Sequence, residues 1–143
     1  MDELEKDLLL LDTHVWIWFM IGSDELKSSK CLPVIEQSAK QGKIRISAIS
    51  VWEIGMLEAR GKIKFTVNCI DWVNEALSAP GISLEPLSPE IAIESSRLPG
   101  DFHGDPADRI IVATARKLGA TLVSSDKEIL EYSEEGYIKI LPV

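Results

Sequence analysis

The chain has 143 residues, of which 45% are hydrophobic and 27% charged, and its formal net charge at pH 7 is −8. This length suits a single domain over residues 1–143, and no apolar run approaches the ~20 residues of a membrane span, so no membrane association is expected. The negative charge disfavours a general nucleic-acid binder, which neutralises phosphates with Lys and Arg, but it allows chemistry on phosphates if some carboxylates hold metal ions.

Short apolar segments alternate with helix-length segments along the chain. The predicted strands are residues 7–11, 43–47, 81–85, 120–124 and 137–141. The predicted helices are residues 13–20, 24–41, 51–60, 68–78, 89–96, 106–118 and 127–132. Strands separated by helices imply a parallel sheet that is covered on both faces, which is an α/β fold.

The first predicted strand ends in an acidic residue. Leu8 to Leu11 are four consecutive leucines, which is typical of a strand buried on both faces, and Asp12 follows them directly. An ionised carboxylate there costs roughly several kcal/mol unless a partner stabilises it. Asp12 therefore either caps the next helix or takes part in chemistry.

Acidic residues recur at later junctions between strands and helices, and these residues are Glu53, Asp105, Asp108 and Asp126. The carboxyl ends of parallel strands share one edge of a sheet, and ligands bind in the crevice at that edge. We therefore expect Asp12, Glu53 and Asp126 on the same side of the molecule. Asp108 lies three residues beyond Asp105 on one face of a mostly buried helix, so it needs a partner.

Helix capping is the competing explanation for each of these acids. Ser50 with Glu53, and Ser125 with Glu128, have the spacing of a capping box, in which both side chains bond to free backbone groups at a helix start. Asp105 precedes a proline, as an N-cap precedes the first helical position. Capping is the simpler interpretation for any single acid, but it does not explain why the acids converge.

Several carboxylates in one crevice repel one another, and burial raises their pKa values until one is protonated. A divalent cation removes this conflict, and oxygen ligands select hard ions, so the sequence favours Mg²⁺ or Mn²⁺ over zinc. Such a site suits phosphodiester hydrolysis, in which a metal ion activates water and stabilises charge on the phosphate. The sequence has neither a GxSxG nucleophile motif nor a GxxxxGK phosphate loop.

The cysteines and the N-terminus bear on the cellular compartment. Cys31 and Cys69 lack CxxC spacing, so neither a zinc site nor a disulfide framework is expected. The first residues, MDELEKD, are acidic and unlike a secretory signal. These features favour a cytoplasmic protein.

Four segments, LLDTHVWIW, ISAISVWEIGMLEARGKI, HGDPADRIIVATA and TLVSSD, occur in this order from Leu10 onward. They closely resemble the signature segments of PIN-domain ribonucleases, specifically the VapC toxins of prokaryotic toxin–antitoxin pairs. The resemblance covers nearly the whole chain and implies a PIN-like α/β/α sandwich with a central parallel sheet. It also implies an endoribonuclease that depends on Mg²⁺ or Mn²⁺, acts on RNA, binds a cognate VapB-type antitoxin and forms a homodimer.

The resemblance also implies roles for individual residues. The catalytic acids that it indicates by position are Asp12, Glu53, Asp108 and Asp126. Three of these acids, Asp12, Asp108 and Asp126, would bind the metal ion. Ser124 would support Asp126. Asp105 would be either an outer ligand or only the helix cap, and we favour the cap.

Other side chains are weaker candidates. Arg60, Lys62 and Lys64 form a local basic cluster that either contacts RNA phosphates or is a solvated loop. His14 and His103 flank the predicted site as candidates for RNA contact or proton transfer, although a structural histidine is the commoner case. The four tryptophans are candidates for stacking on bases, but three lie in strongly apolar segments, where core positions are favoured.

Two rival functions belong to other classes. A phosphoacceptor receiver domain also places acids at strand ends, but it needs an acidic pair at the first strand, whereas Asp12 is followed by Thr13 and His14. A catalytically inactive PIN-fold scaffold that binds RNA or protein is the stronger rival, and missing metal ligands would identify it. All four acidic positions are filled, so catalytic activity is favoured.

Overall fold

The computed structural model describes residues 7–143, so the acidic segment 1–6 lies outside the described residues. The strands are β1 Leu9–Leu11, β2 Ile44–Ser47, β3 Ile82–Glu85, β4 Thr121–Ser124 and β5 Lys139–Pro142. The helices are α1 Thr13–Ile21, α2 Asp24–Lys27, α3 Cys31–Lys40, α4 Ala48–Ala59, α5 Cys69–Leu77, α6 Pro89–Glu94, α7 Pro106–Leu118 and α8 Lys127–Ser133. No helix within residues 7–143 is long and apolar enough to cross a bilayer.

The strands are parallel and lie in the order β3-β2-β1-β4-β5. The chain builds β1, β2 and β3 outward in one direction, and then returns to place β4 against the other side of β1. Open parallel sheets bind ligands at such a reversal, in the crevice beyond the carboxyl ends of the strands. In this protein the crevice lies between β1 and β4, where Leu11 pairs with Val123.

Two hydrophobic cores lie on opposite faces of the sheet. Leu9 and Leu11 belong to one core and Leu10 to the other, and all three side chains are fully buried, because alternate residues of a strand point to opposite faces. Helices complete both cores, with Trp16 of α1 in the first and Ile111 of α7 in the second. The predicted α/β/α sandwich with a central parallel sheet is therefore confirmed.

The helix predicted over residues 24–41 is two helices in the structure. α2 ends at Lys27 and α3 begins at Cys31, and the hydroxyl of Ser29 accepts a hydrogen bond from Cys31 N at 3.0 Å. Serine side chains offer backbone groups an alternative to helical hydrogen bonds, which explains the break at this point. Cys31 and Cys69 are both free thiols, as expected.

Two helices have N-caps other than the serines that the capping-box spacing indicates. The N-cap of α4 is Ser47, whereas Ser50 is buried within the first turn and Glu53 lies about a turn and a half into the helix. The N-cap of α8 is Asp126 and not Ser125. Both predicted capping boxes are therefore wrong, and the position of Glu53 has no explanation in capping.

Gly81 allows α3 to approach β3 closely. Its φ is 84°, and a Cβ atom at this position would lie 1.8 Å from the backbone oxygen of Ala39. The carbonyl of Gly81 also accepts a hydrogen bond from Ile44 N at 3.1 Å, so α3, β2 and β3 meet here. Only a residue without a side chain fits this junction.

Candidate active site

Asp12 lies in the crevice at the carboxyl end of β1. It is 5% exposed, and both of its carboxylate oxygens accept hydrogen bonds, Oδ1 from Thr13 N at 2.8 Å and Oδ2 from Ser124 Oγ at 2.7 Å. The bond to Ser124 joins the ends of β1 and β4. Asp12 is therefore the N-cap of α1, but it is also held from across the crevice, which capping does not require.

Thr13 connects α1 to the acid on α4. Its hydroxyl donates to Glu53 Oε1 at 2.6 Å and lies 2.7 Å from Ser50 Oγ. A hydroxyl has one proton to donate, so Ser50 donates to Thr13 when Glu53 is ionised. Thr13 and Ser50 are buried, whereas Glu53 is half-buried. The sequence pattern indicates only a capping role for Ser50 and no role for Thr13, although Thr13 directly follows the strand-end acid.

Asp105 and Asp108 lie at the start of α7. Asp105 is exposed and is the N-cap of this helix, because its Oδ1 accepts a hydrogen bond from Asp108 N at 2.9 Å. The favoured interpretation of Asp105 as a cap thus agrees with its geometry. Asp108 is half-buried at the third helical position, and its carboxylate accepts no hydrogen bond from residues 7–143.

Asp126 is the N-cap of α8, just beyond β4. Its Oδ1 accepts a hydrogen bond from Ile129 N at 3.1 Å, and its own N–H donates to Ser124 Oγ at 3.0 Å. Ser124 therefore uses its proton to hold Asp12 and a lone pair to hold Asp126. Ser124 is predicted to support Asp126 alone, whereas in the structure it also contacts Asp12.

Repulsion among the acids is strongest at Asp108. Burial first, and then the negative charges of Asp105, Asp126, Asp12 and Glu53, raise the pKa of Asp108 from 3.8 to about 8. Burial also raises the pKa values of Asp12 and Glu53, against the opposing effect of their hydrogen bonds to hydroxyl groups. The four predicted catalytic acids and Asp105 therefore act on one another within a single site.

The donor atoms of this site are all oxygens, which is the preference of Mg²⁺ and Mn²⁺. Asp108 has both carboxylate oxygens available, and Asp126 uses one of its oxygens as a cap. Within residues 7–143, no group of three His, Cys, Asp or Glu side chains is already arranged to hold a metal ion. Mg²⁺ usually binds one or two carboxylates directly and retains several water ligands, so the residues present fit such an ion without a closed triad.

An apolar pocket of about 270 Å³ adjoins the acids between α4 and α7. It is also lined by Glu53 and Asp105, and its apolar lining residues are Ile49, Trp52, Met56, Pro106, Ala107 and Ile110. Trp52 is 57% exposed. We call this feature the Trp52 pocket.

The other three tryptophans pack against the protein core. Trp16 is fully buried, and Trp18 and Trp72 pack against the same core. Trp52 is the exception because it lies on the face of α4 that borders the pocket. Its spacing of three residues from Ile49 and four from Met56 places these side chains on one helical face, which is a signal that the sequence contains.

The histidines are both exposed at the surface. His103 pairs with Asp101 at 3.0 Å. The ring of His14 lies 6.3 Å from that of Trp18, and the His14 charge opposes the rise in the pKa of Asp12. Of the two, His14 is therefore the one whose charge acts on an acid of the site.

The predicted basic cluster lies away from the acids. Arg60, Lys62 and Lys64 are exposed at the C-terminal end of α4 and just beyond it. Arg60 is separated from Glu53 by about 10 Å along the helix axis, at ~1.5 Å per residue. The cluster therefore does not line the site.

Comparison of the sequence with known proteins gave two matches over most of its length. The PIN domain matches residues 9–135. Ribonuclease VapC22 of Mycobacterium tuberculosis is 31% identical over 121 residues, which cover 85% of this chain and 88% of that protein.

Solved structures share the fold at low sequence identity. VapBC2 from Rickettsia felis bound to a promoter DNA fragment has a TM-score of 0.67 at 18% identity, covering 94% of this chain and 98% of that chain. DNA-bound VapBC from Salmonella typhimurium has a TM-score of 0.65 at 15% identity, covering 94% and 97%. A toxin–antitoxin complex from Klebsiella pneumoniae has a TM-score of 0.60 at 24% identity, covering 85% and 89%.

Proposed function

Because the chain belongs to the PIN-domain family, and within it to the VapC ribonucleases, we propose that it is an endoribonuclease and the toxin of a toxin–antitoxin pair. Its substrate is RNA, the reaction is hydrolysis of a phosphodiester bond, and Mg²⁺ or Mn²⁺ is required. The proposed catalytic acids are Asp12, Glu53, Asp108 and Asp126. Ser124 and Asp105 support them.

The state of Asp108 is the observation that supports this proposal most directly. The carboxylate is half-buried, it accepts no hydrogen bond from residues 7–143, and burial together with the neighbouring acids raises its pKa to about 8. Helix capping does not explain this arrangement, because Asp105 already caps α7. A bound cation would offset the repulsion, so the site suits a positively charged ligand that residues 7–143 do not supply.

The proposed metal ligands are Asp12, Asp108 and Asp126, of which one or two would contact the ion directly and the rest through its water ligands. When bound, the ion supplies an activated water and stabilises negative charge on the phosphate and the leaving oxygen. Asp12 is fixed by two hydrogen bonds, and Ser124 orients it together with Asp126. Asp108 releases its proton when positive charge is placed beside it, because the cation favours the ionised form.

Glu53 has a separate role in this proposal. Thr13 holds its Oε1, so Oε2 is left to orient the attacking water and accept its proton. Burial raises the pKa of Glu53 from its ordinary value, which makes the carboxylate a stronger base. Glu53 is therefore proposed as the general base, positioned by the hydroxyl of Thr13.

A VapB-type antitoxin is the proposed protein partner. The proposal is supported by the shared fold with the VapBC complexes of Rickettsia felis and Salmonella typhimurium. We further propose that the toxin is a homodimer and acts in the cytoplasm, where its RNA substrate is found.

The decisive experiment is cleavage of single-stranded or loop-containing RNA by the purified protein. We expect cleavage with Mg²⁺ or Mn²⁺, none in excess EDTA, and recovery when metal is added back. Asp12→Asn keeps the side-chain volume and capping ability but removes a ligand charge, so it should fold and be inactive. Asp71→Asn, at an exposed position of α5, is the control and should keep full activity.

Two outcomes would contradict the proposal. Full activity in excess EDTA would show that no metal ion is needed. Normal growth of cells that make abundant soluble protein without the antitoxin, together with RNA binding but no cleavage, would favour the inactive scaffold.

A further inference from the structure

We propose that the Trp52 pocket binds one nucleobase of the RNA, stacked on the Trp52 indole, and that this contact selects the nucleotide beside the cleaved bond. The inference rests on the proposed function, because it assigns a subsite to the same reaction. It makes Trp52 a specificity-determining residue that touches the substrate and takes no part in the chemistry.

The pocket is continuous with the acidic site. Two of its lining residues, Glu53 and Asp105, belong to the group of acids that raise the pKa of Asp108. Trp52 directly precedes Glu53 on α4. A phosphate bound at the acids therefore brings an adjoining nucleotide to the mouth of the pocket.

The chemistry of the pocket suits a base and not a phosphate. Apart from Glu53 and Asp105, its lining is apolar, and Trp52 presents a large exposed ring. Stacking of a base on an aromatic side chain contributes about 5- to 150-fold in affinity and tolerates every base, because each base has a π-face. Discrimination among bases would come from how well each base fits between α4 and α7, which form the walls of the pocket.

The charge at this edge of the protein does not by itself attract RNA. The formal net charge is −8, and the predicted basic cluster lies at the far end of α4. Arg109 of α7 is committed to the protein, because its Nε donates to Ser95 O at 2.8 Å and its Nη1 to Phe102 O at 2.9 Å. Uncharged contacts such as stacking must therefore supplement the metal ion in holding the RNA.

The size of the pocket favours a single planar group as its occupant. About 270 Å³ is slightly below the ~300–1,000 Å³ of pockets that hold drug-sized ligands. A stable protein partner buries at least ~1,000 Å² in total, so this pocket would be only a small part of such an interface. Binding of a second copy of the chain or of an antitoxin at this pocket is therefore the alternative that the experiment below tests.

The first measurement is steady-state cleavage of RNA by the Mg²⁺-loaded protein. Trp52→Leu keeps an apolar side chain without a ring, and it should raise KM about 5- to 150-fold with little change in kcat. It should also broaden the set of nucleotides found beside the cleaved bond. Trp52→Phe keeps a smaller ring and should lie between this variant and the wild type. Trp18→Phe, on α1, is the matched control and should match the wild type.

A second measurement does not depend on catalysis. In an Asp12→Asn background, a short single-stranded RNA should quench the indole fluorescence of Trp52, and Trp52→Phe should abolish that quenching. If wild-type protein cleaves no RNA but RNA still quenches Trp52, the proposed activity fails while the subsite stands.

The inference is overturned if Trp52→Leu, shown by circular dichroism to be folded, has an unchanged KM and an unchanged cleavage pattern. It is also overturned if this variant loses dimerisation or antitoxin binding in sedimentation while KM stays the same. In that case the pocket is a protein contact.

Discussion

Replacing Asp108 with Asn should stabilise the metal-free protein, and the gain should increase with pH. In the unfolded chain the carboxyl has its ordinary pKa of 3.8, whereas in the fold its pKa is about 8. Between these values the native state binds more protons than the unfolded state, so the free energy of unfolding decreases as the pH rises from about 4 to about 8. Asn has no charge, so the variant lacks this decrease.

The magnitude follows from the pKa difference. Between pH 5 and pH 8, a conversion of about 1.4 kcal/mol per pH unit gives roughly 4 kcal/mol as an upper bound. Asp108 is only half-buried, and solvent screens part of the repulsion, so we expect the gap between the variant and the wild type to widen by about 2 kcal/mol. Loss of a negative charge from the first turn of a helix removes ~0.3–1 kcal/mol in the opposite direction.

A matched control separates these two effects. Asp71 occupies the third position of α5, as Asp108 does in α7, and it is exposed. Asp71→Asn should therefore show only the small loss from the helix terminus. Both variants and the wild type should be unfolded with urea in EDTA at several pH values between 5 and 8.

The same proteins report on metal binding. Mg²⁺ at 100 times its dissociation constant should stabilise the wild type and Asp71→Asn by about 2.7 kcal/mol, through binding to the native state alone. Asp108→Asn should lose most of this gain. If Asp108→Asn shows the pH dependence of the wild type, the acids do not repel one another as described. If it also responds to Mg²⁺ as the wild type does, Asp108 is not a ligand, and the site would have to be reassigned around Asp105.

Three further substitutions test individual contacts. Thr13→Val should reduce kcat about 10- to 100-fold with little effect on KM, because Glu53 loses the hydroxyl that positions it, and Thr13→Ser should recover most of the rate in the same cleavage assay. Asp105→Ala should cost about 0.5–2 kcal/mol in urea unfolding with or without Mg²⁺, whereas Asp105→Asn should be nearly neutral, since only the cap is lost in the first variant. Gly81→Ala should destabilise the protein by more than about 1 kcal/mol and lower its thermal midpoint, because φ is 84° and a Cβ atom would lie 1.8 Å from a backbone oxygen of α3. Unchanged stability would mean that α3 can move aside.

The convergence of the acids was predictable from the sequence because it depends on a general property of parallel sheets. Asp12 and Asp126 each follow a recognisable strand, and the carboxyl ends of such strands meet at one edge. The burial of three consecutive leucines in β1 was predictable for the same kind of reason, since helices cover both faces of the sheet.

The supporting contacts were not predictable from local pattern. Ser47 and Ser50 both have a side chain that can cap α4, and the choice between them depends on the contact of Ser50 with Thr13, which is 37 residues away in the chain. Trp52 lies in an apolar segment that resembles the one around the buried Trp16. Its exposure depends on which face of α4 meets α7, and this is decided by tertiary packing.

The hydrogen bond between Ser124 and Asp12 joins residues 112 positions apart in the sequence. At a synthesis rate of about 5–20 residues per second, the ribosome makes Ser124 roughly 6–22 s after Asp12. Asp108 and Asp126 also lie in the last third of the chain, so most of a growing toxin contains only two of its four proposed catalytic acids. The proposed set of acids is therefore complete only once β4 and the residues just beyond it have been made, so we expect a chain interrupted before β4 to have no nuclease activity.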